Sequence, residues 1–183
     1  IKKAKHLIQH GQIGRLSSIT YQRKKTQPNH SDFPAMSQLG IHGIDLACFF
    51  AGEAEPISTI FETSHQKGFA SFLFPQGISA QIETGYSFSE NVFEIVLTGE
   101  KGSIMINPQK NQGLRVCQNG LTKNIPIQPF TKPLKLQTKA FLSEMKRKKQ
   151  GEDWSYFPDF GATMRCLRLL EKAGILKEII RPN

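Results

Sequence analysis

The sequence is short of most features that would assign it quickly. It has three cysteines in 183 residues, Cys48, Cys117 and Cys166, and no C-x-x-C spacing. An odd, scattered set argues against a disulfide framework and against a zinc site, and favours a reducing, cytoplasmic setting. No apolar run reaches about 18 residues, so no membrane-spanning helix is expected. No leader with a basic start and an apolar middle is visible. The Gly-rich turn that cradles phosphates after a first strand is missing, and so is the alternating βαβ rhythm of a nucleotide-binding sheet. Tryptophan occurs once, at Trp154, and the first residue is Ile1 rather than Met. We expect the chain to be a piece of something longer.

Acidic residues are also sparse where basic ones gather. The formal net charge is +9. Residues 1–31 hold seven Lys or Arg and no acid; residues 132–150 hold seven basic residues and only Glu144. Clustered charge of this kind can attract an anionic partner. Few aromatics interleave with it and no nucleic-acid motif accompanies it, so Lys-rich helix faces in water are the expectation.

What is present alternates in an orderly way. "IKKAKHLIQH" (1–10) has helical spacing, with Ala4, Leu7 and Ile8 on one stripe and Gly11 as a stop. His6 and His10 stand at i and i+4, a metal-ligand spacing without a third ligand, and read as an exposed polar face. "SSITYQRKK" reads as a strand that puts Tyr21, Arg23 and Lys25 on one side. "SQLGIHGIDLACFF" (37–50) reads as a helix capped by Ser37 and stopped by Gly52. A β-rich stretch follows, with hairpins at "GEKG" and "QNGL". Two helices, "LKLQTKAFLSEMKRKK" and "FGATMRCLRLLEKAGILKEI", close the chain. The order predicts an α+β fold: an open, mainly antiparallel sheet with helices packed on one face. Phe69, Phe72, Phe74, Phe88 and Phe93 lie in the strand region. They suggest more apolar bulk than one helix layer covers, hence dimerisation through the sheet.

The 37–50 helix carries the candidate chemistry. Gln38, His42 and Asp45 share one side of it. The alternatives are a hydrogen-bonded histidine at a core edge and a catalytic or substrate-binding imidazole. His30, in the preceding loop, and the aromatic "DWSYFPDF" (153–160) are further pocket candidates, although a solvated loop and a helix anchor are the plainer readings.

Three phrases in order carry a resemblance: "KAKHLIQHGQIGRL", "LGIHGIDLACFFAG" and "LTGEKGSIMIN". Together they resemble the C-terminal domain of the glucose–fructose oxidoreductase, inositol dehydrogenase and rhizopine-catabolism oxidoreductases, the Gfo/Idh/MocA family. The resemblance implies one domain over residues 1–183, bearing the substrate pocket and a homodimer or tetramer interface. It also implies an upstream Rossmann domain that binds NAD or NADP and carries an E-K-P lysine. No cofactor is expected on this chain alone. In the family pattern D-x-G-x-H, His42 matches the histidine as the acid–base or hydroxyl-binding residue, and Gly40 matches the glycine. Gln38 stands where the aspartate is expected; it cannot titrate but can hydrogen-bond a hydroxyl. Tyr21 and Arg23 then become substrate-binding candidates, Arg23 toward an anionic sugar. Asp45 and Gly40 support the site. A non-catalytic relative that kept the fold as a binding or scaffolding module is the competing reading.

Overall fold

The computed structural model describes residues 1–26, 34–52, 54–87, 89–107, 113–126, 133–151 and 160–172. His30, Phe88 and the 153–159 part of the aromatic patch lie outside these residues. The expected element order is found. Helix α1 (Lys2–Gln9) leads to β1 (Leu16–Thr26), then a π-helical turn (Met36–Gly40) runs into α2 (Ile41–Ala51). Seven strands follow: β2 (Ser58–Thr63), β3 (Lys67–Leu73), β4 (Ser79–Ser87), β5 (Val92–Gly99), β6 (Gly102–Ile106), β7 (Leu114–Gln118) and β8 (Leu121–Ile125). Helices α3 (Pro133–Lys149) and α4 (Phe160–Lys172) complete the described chain.

The strands form one open sheet in the order β2-β3-β4-β1-β5-β6-β7-β8. Each pairing is antiparallel except β1 with β4. The antiparallel pairs join strands that follow one another in the chain, except β1 with β5. In the β7–β8 hairpin, Asn119 and Gly120 take φ of 51° and 74°, the left-handed pair that a two-residue turn needs. The parallel β1–β4 pair needs a crossover connection, and α2, β2 and β3 lie between its strands.

Alternation divides each strand between two faces. Ile19, Tyr21, Ala70, Phe72, Ala80, Ile82, Ile95, Leu97 and Ile104 are buried and face the helices. The other face carries Ser18, Thr20, Gln22 and Lys24 of β1 beside Ser79, Gln81 and Glu83 of β4. The suspected surplus of apolar bulk is therefore corrected. Phe72, and Phe74 just past β3, are buried. Phe93 meets Tyr21 edge-on, with ring centroids 5.7 Å apart, on the covered face. Among the described members of that group only Phe69 lies on the bare face, paired with Glu83. Strand parity, which the bulk count ignored, makes the difference.

Two of the three phrases that carry the resemblance meet in space. The "GQIG" turn lies on the "GEKG" hairpin: Lys101 donates its backbone N–H to Ile13 O (2.8 Å) and Glu100 to Arg15 O (3.1 Å). Glycine is needed at Gly99, where a Cβ would strike the Ile13 carbonyl. These motifs build a joint of the scaffold.

Candidate active site

The third phrase holds the exposed polar stripe. Its first turn is not α-helical: the Ile41 N–H bonds to Met36 O, five residues back, which defines a π turn. Ser37 is therefore not the helix cap. It lies inside the π turn and its hydroxyl donates to Pro34 O at 2.8 Å. Beyond the turn, α2 buries Gly43, Ile44, Ala47, Cys48 and Ala51 and exposes His42, Asp45 and Phe49; Gln38 is also exposed. His42 thus stands on the outward stripe, not in the core.

Glycines bring this helix close to the sheet. A Cβ at Gly43 would lie 2.6 Å from Tyr21 Cδ1 and 2.9 Å from Ile82 Cγ2. At Gly40 it would collide with the Met36 sulfur, so that Gly40 supports the π turn through packing. Tyr21, fully buried, donates its hydroxyl to the Leu39 carbonyl at 3.0 Å. In this arrangement Tyr21 fastens the π turn to β1 and offers nothing to a ligand. Buried hydroxyls find such partners because an unpaired one is costly.

Farther along the same face of β1 the residues become basic. Arg23 is half-buried, with its guanidinium 5.1 Å from the centre of the Phe93 ring, and Lys25 is exposed. His42 is held below the ordinary imidazole range. Packing around the ring is the main cause; Arg23 and then Lys25 push in the same direction, and Asp45 pulls the other way. The result is a neutral imidazole beside two cations, able to accept a proton near pH 7.

Each supporting residue has a defined partner. Tyr86 of β4 donates its hydroxyl to Gln38 Oε1 at 2.9 Å. With the amide oxygen so engaged, the Gln38 NH₂ is the group left to donate outward. Asp45 bonds to α4 rather than to nearby backbone: Cys166 Sγ donates to its Oδ1 at 3.7 Å. Tyr86, Cys48 and Cys166 were not among the sequence candidates. Extending the alternation of Ala80 and Ile82 by four residues would have put Tyr86 on the helix side; no local pattern announces the α2–α4 contact.

Tyr86 also walls a hollow of about 790 Å³, shared with Lys24, Glu62, Gln66, Lys67 and Thr84. Its rim is pinned by Glu83, which accepts from Lys24 Nζ at 2.7 Å and from Gln22 Nε2 at 2.7 Å. Binding sites for small molecules commonly have volumes of about 300–1,000 Å³. His42 does not line this hollow; the Tyr86–Gln38 bond is what joins it to the helix stripe. The His6 ring of α1 and the His10 ring just beyond it lie 3.9 Å apart, tilted by 43°, and no metal-binding cluster of three ligands occurs among the described residues.

An open eight-stranded sheet with helices on one face defines an α+β domain. Residues 1–105 match the GFO/IDH/MocA C-terminal domain, and the chain belongs to that family. No curated protein matches it. Among solved structures it is similar to a 3-ketoreductase from Actinomadura kijaniata in complex with TDP-benzene and NADP: 16% identity, TM-score 0.71, 97% of this chain and 55% of that one. A UDP-N-acetylglucosamine 3-dehydrogenase from Acidithiobacillus ferrooxidans gives 17%, 0.70, 93% and 55%. An aldose-aldose oxidoreductase from Caulobacter crescentus gives 20%, 0.70, 98% and 58%. These likenesses are of fold. The chain spans little more than half the length of each.

Proposed function

We propose that residues 1–183 form the substrate-binding domain of an NAD(P)-dependent oxidoreductase acting on a sugar, sugar-acid or nucleotide-sugar hydroxyl. The observation that carries this reading is the outward stripe of Gln38, His42 and Asp45, with a neutral His42 beside Arg23 and Lys25. The solved relatives that handle nucleotide sugars or NADP agree with it.

The nicotinamide, held by an upstream Rossmann domain, would supply the hydride acceptor. The rest belongs to this chain. His42 takes the hydroxyl proton as the carbon–hydrogen bond breaks, and in the reverse direction returns it to the ketone oxygen. Asp45 steadies the imidazolium so formed. Gln38, oriented by Tyr86, donates to a substrate oxygen. Arg23 draws an anionic part of the substrate, such as a carboxylate or phosphate, toward the stripe.

The full-length protein should turn over nucleotide sugars or sugar acids with NADP or NAD, followed as nicotinamide absorbance. No turnover across a panel of both substrate classes and both cofactors would leave the non-catalytic binding module as the better reading. The bare sheet face is the proposed seat of a homodimer or tetramer. Sedimentation velocity at micromolar concentration should then show no monomer peak, and a lone monomer would end that assignment. Among the described residues no helix is long and apolar enough to cross a membrane. Three free thiols fit a cytoplasmic setting.

A further inference from the structure

The hollow of about 790 Å³ beside Tyr86 has no part in the proposed reaction, since His42 does not line it. Its floor follows from strand register on the bare face. Glu62, Phe69 and Glu83 are partners across β2, β3 and β4. Two residues along, Lys67, Gly85 and Lys24 are partners across β3, β4 and β1. Residues two apart on a strand share a face, so both rows lie on one side of the sheet, about 7 Å apart. The first row sets a phenylalanine between two carboxylates. The second sets a glycine between two lysines whose backbones stand about 10 Å apart, two strand spacings. With no side chain at Gly85, a gap opens between them. A Cβ there would meet Gln66 O at 3.4 Å and Lys67 Cγ at 3.9 Å, ordinary contacts with two residues of the wall.

The two sides of the hollow differ. On the β1 side Glu83 is fixed by Lys24 and by Gln22, each at 2.7 Å. On the β2 side the Glu62 carboxylate, the Gln66 amide and the Lys67 ammonium make no hydrogen bond or ion pair among the described residues. Two lysines balance two glutamates, so the described lining has no net charge. A phosphate or carboxylate therefore gains no preference here, unlike beside Arg23 and Lys25 on the covered face. An aromatic floor flanked by acceptors and donors matches a ring that is apolar on its faces and hydroxylated around its edge. That is the chemistry of a pyranose. Its C–H groups lie on the aromatic face, and its hydroxyls donate to carboxylates and accept from ammonium and amide N–H. The volume is far above the roughly 30 Å³ of one water and falls within the range of small-molecule sites, about 300–1,000 Å³.

We infer that this hollow is a binding site for a neutral saccharide, separate from the hydroxyl that reacts at His42. Phe69 lies under the sugar ring, Glu62 accepts from its hydroxyls, and Gln66 and Lys67 donate to them. Lys24 and Glu83 brace the opposite wall through their ion pair. No bond is made or broken there.

The test is isothermal titration of the full-length protein, without nicotinamide, against maltose, cellobiose, lactose and sucrose, with glucose 6-phosphate as the anionic comparison. At least one neutral disaccharide should bind saturably, and glucose 6-phosphate should bind no tighter. Glu62→Gln should weaken that binding about tenfold, the scale of one hydrogen bond to a charged group. Gly85→Leu, which places a side chain in the gap, should abolish it. Circular dichroism checks that both variants fold, and His42→Ala should bind as wild type does. No saturable heat with any neutral probe, as when a second copy of the chain closes the hollow, would overturn the inference. So would binding that survives Gly85→Leu, or binding that is lost in His42→Ala. The titration needs no turnover, so its outcome is separate from that of the proposed reaction.

Discussion

On the proposed function, His42→Ala in the full-length protein is expected to lower kcat by about 100- to 10,000-fold, the usual contribution of a positioned general base. The fold should survive, because His42 is exposed and belongs to no core cluster. The pH dependence gives a second signature. Since packing, Arg23 and Lys25 hold His42 below its ordinary value, the acid limb of kcat/KM should bend below about pH 6.5. The sign for stability follows from the same shift. On acidification the unfolded chain protonates this imidazole first, so the folded state loses stability as pH falls from about 6.5 toward the lower folded value. Steady-state kinetics from pH 5 to 9 on wild type and variant would check both. An alanine variant within threefold of wild-type turnover would remove His42 from the chemistry.

Gly43→Val is expected to destabilise the domain by about 3 kcal/mol, at the upper end of the usual cost of overpacking a filled core. The first added carbon alone would stand 2.6 Å from the Tyr21 ring and 2.9 Å from Ile82. Both neighbours are fully buried and cannot swing away. The helix must lift from the sheet, which also pulls the Tyr21 hydroxyl from the Leu39 carbonyl. Removing a mid-helix glycine returns only about 1 kcal/mol of propensity, less for β-branched valine. Urea unfolding midpoints would measure the difference, and a variant as stable as wild type would show that α2 is not clamped at Gly43. Because His42 is the adjacent residue, any displacement that the fold tolerates should also impair turnover.

The elements of this fold were legible because apolar spacing records them directly. Ala4, Leu7 and Ile8 mark α1, and the alternation of Ala80 and Ile82 marks β4. The outward stripe was legible for the same reason, since Gln38, His42 and Asp45 interrupt an apolar helix on one side. The π turn was not. It moves a backbone hydrogen bond by one residue without altering which side chains are apolar, and so leaves no mark at Ser37 or Gly40. The apolar surplus on the bare face was misjudged by counting phenylalanines without parity: Phe72 and Phe74 share a side, and Phe69 faces the opposite way. The contacts of Gln38 with Tyr86 and of Asp45 with Cys166 join residues far apart in the chain, and only the docked fold brings them together.

The sheet order has a consequence for how the chain assembles. Strands β2, β3 and β4 form one meander of neighbours, and β5 to β8 form another. Between them lies β1, the earliest strand in the chain, with every ladder partner in residues 79–99. During synthesis it leaves the ribosome with both edges bare and waits until its partners in residues 79–99 have followed. The two hairpin sets then close on a strand that precedes both of them in the chain. The strand bearing Tyr21 and Arg23 is thus the keystone of the sheet, and the basic side of the site is completed only when both halves have met.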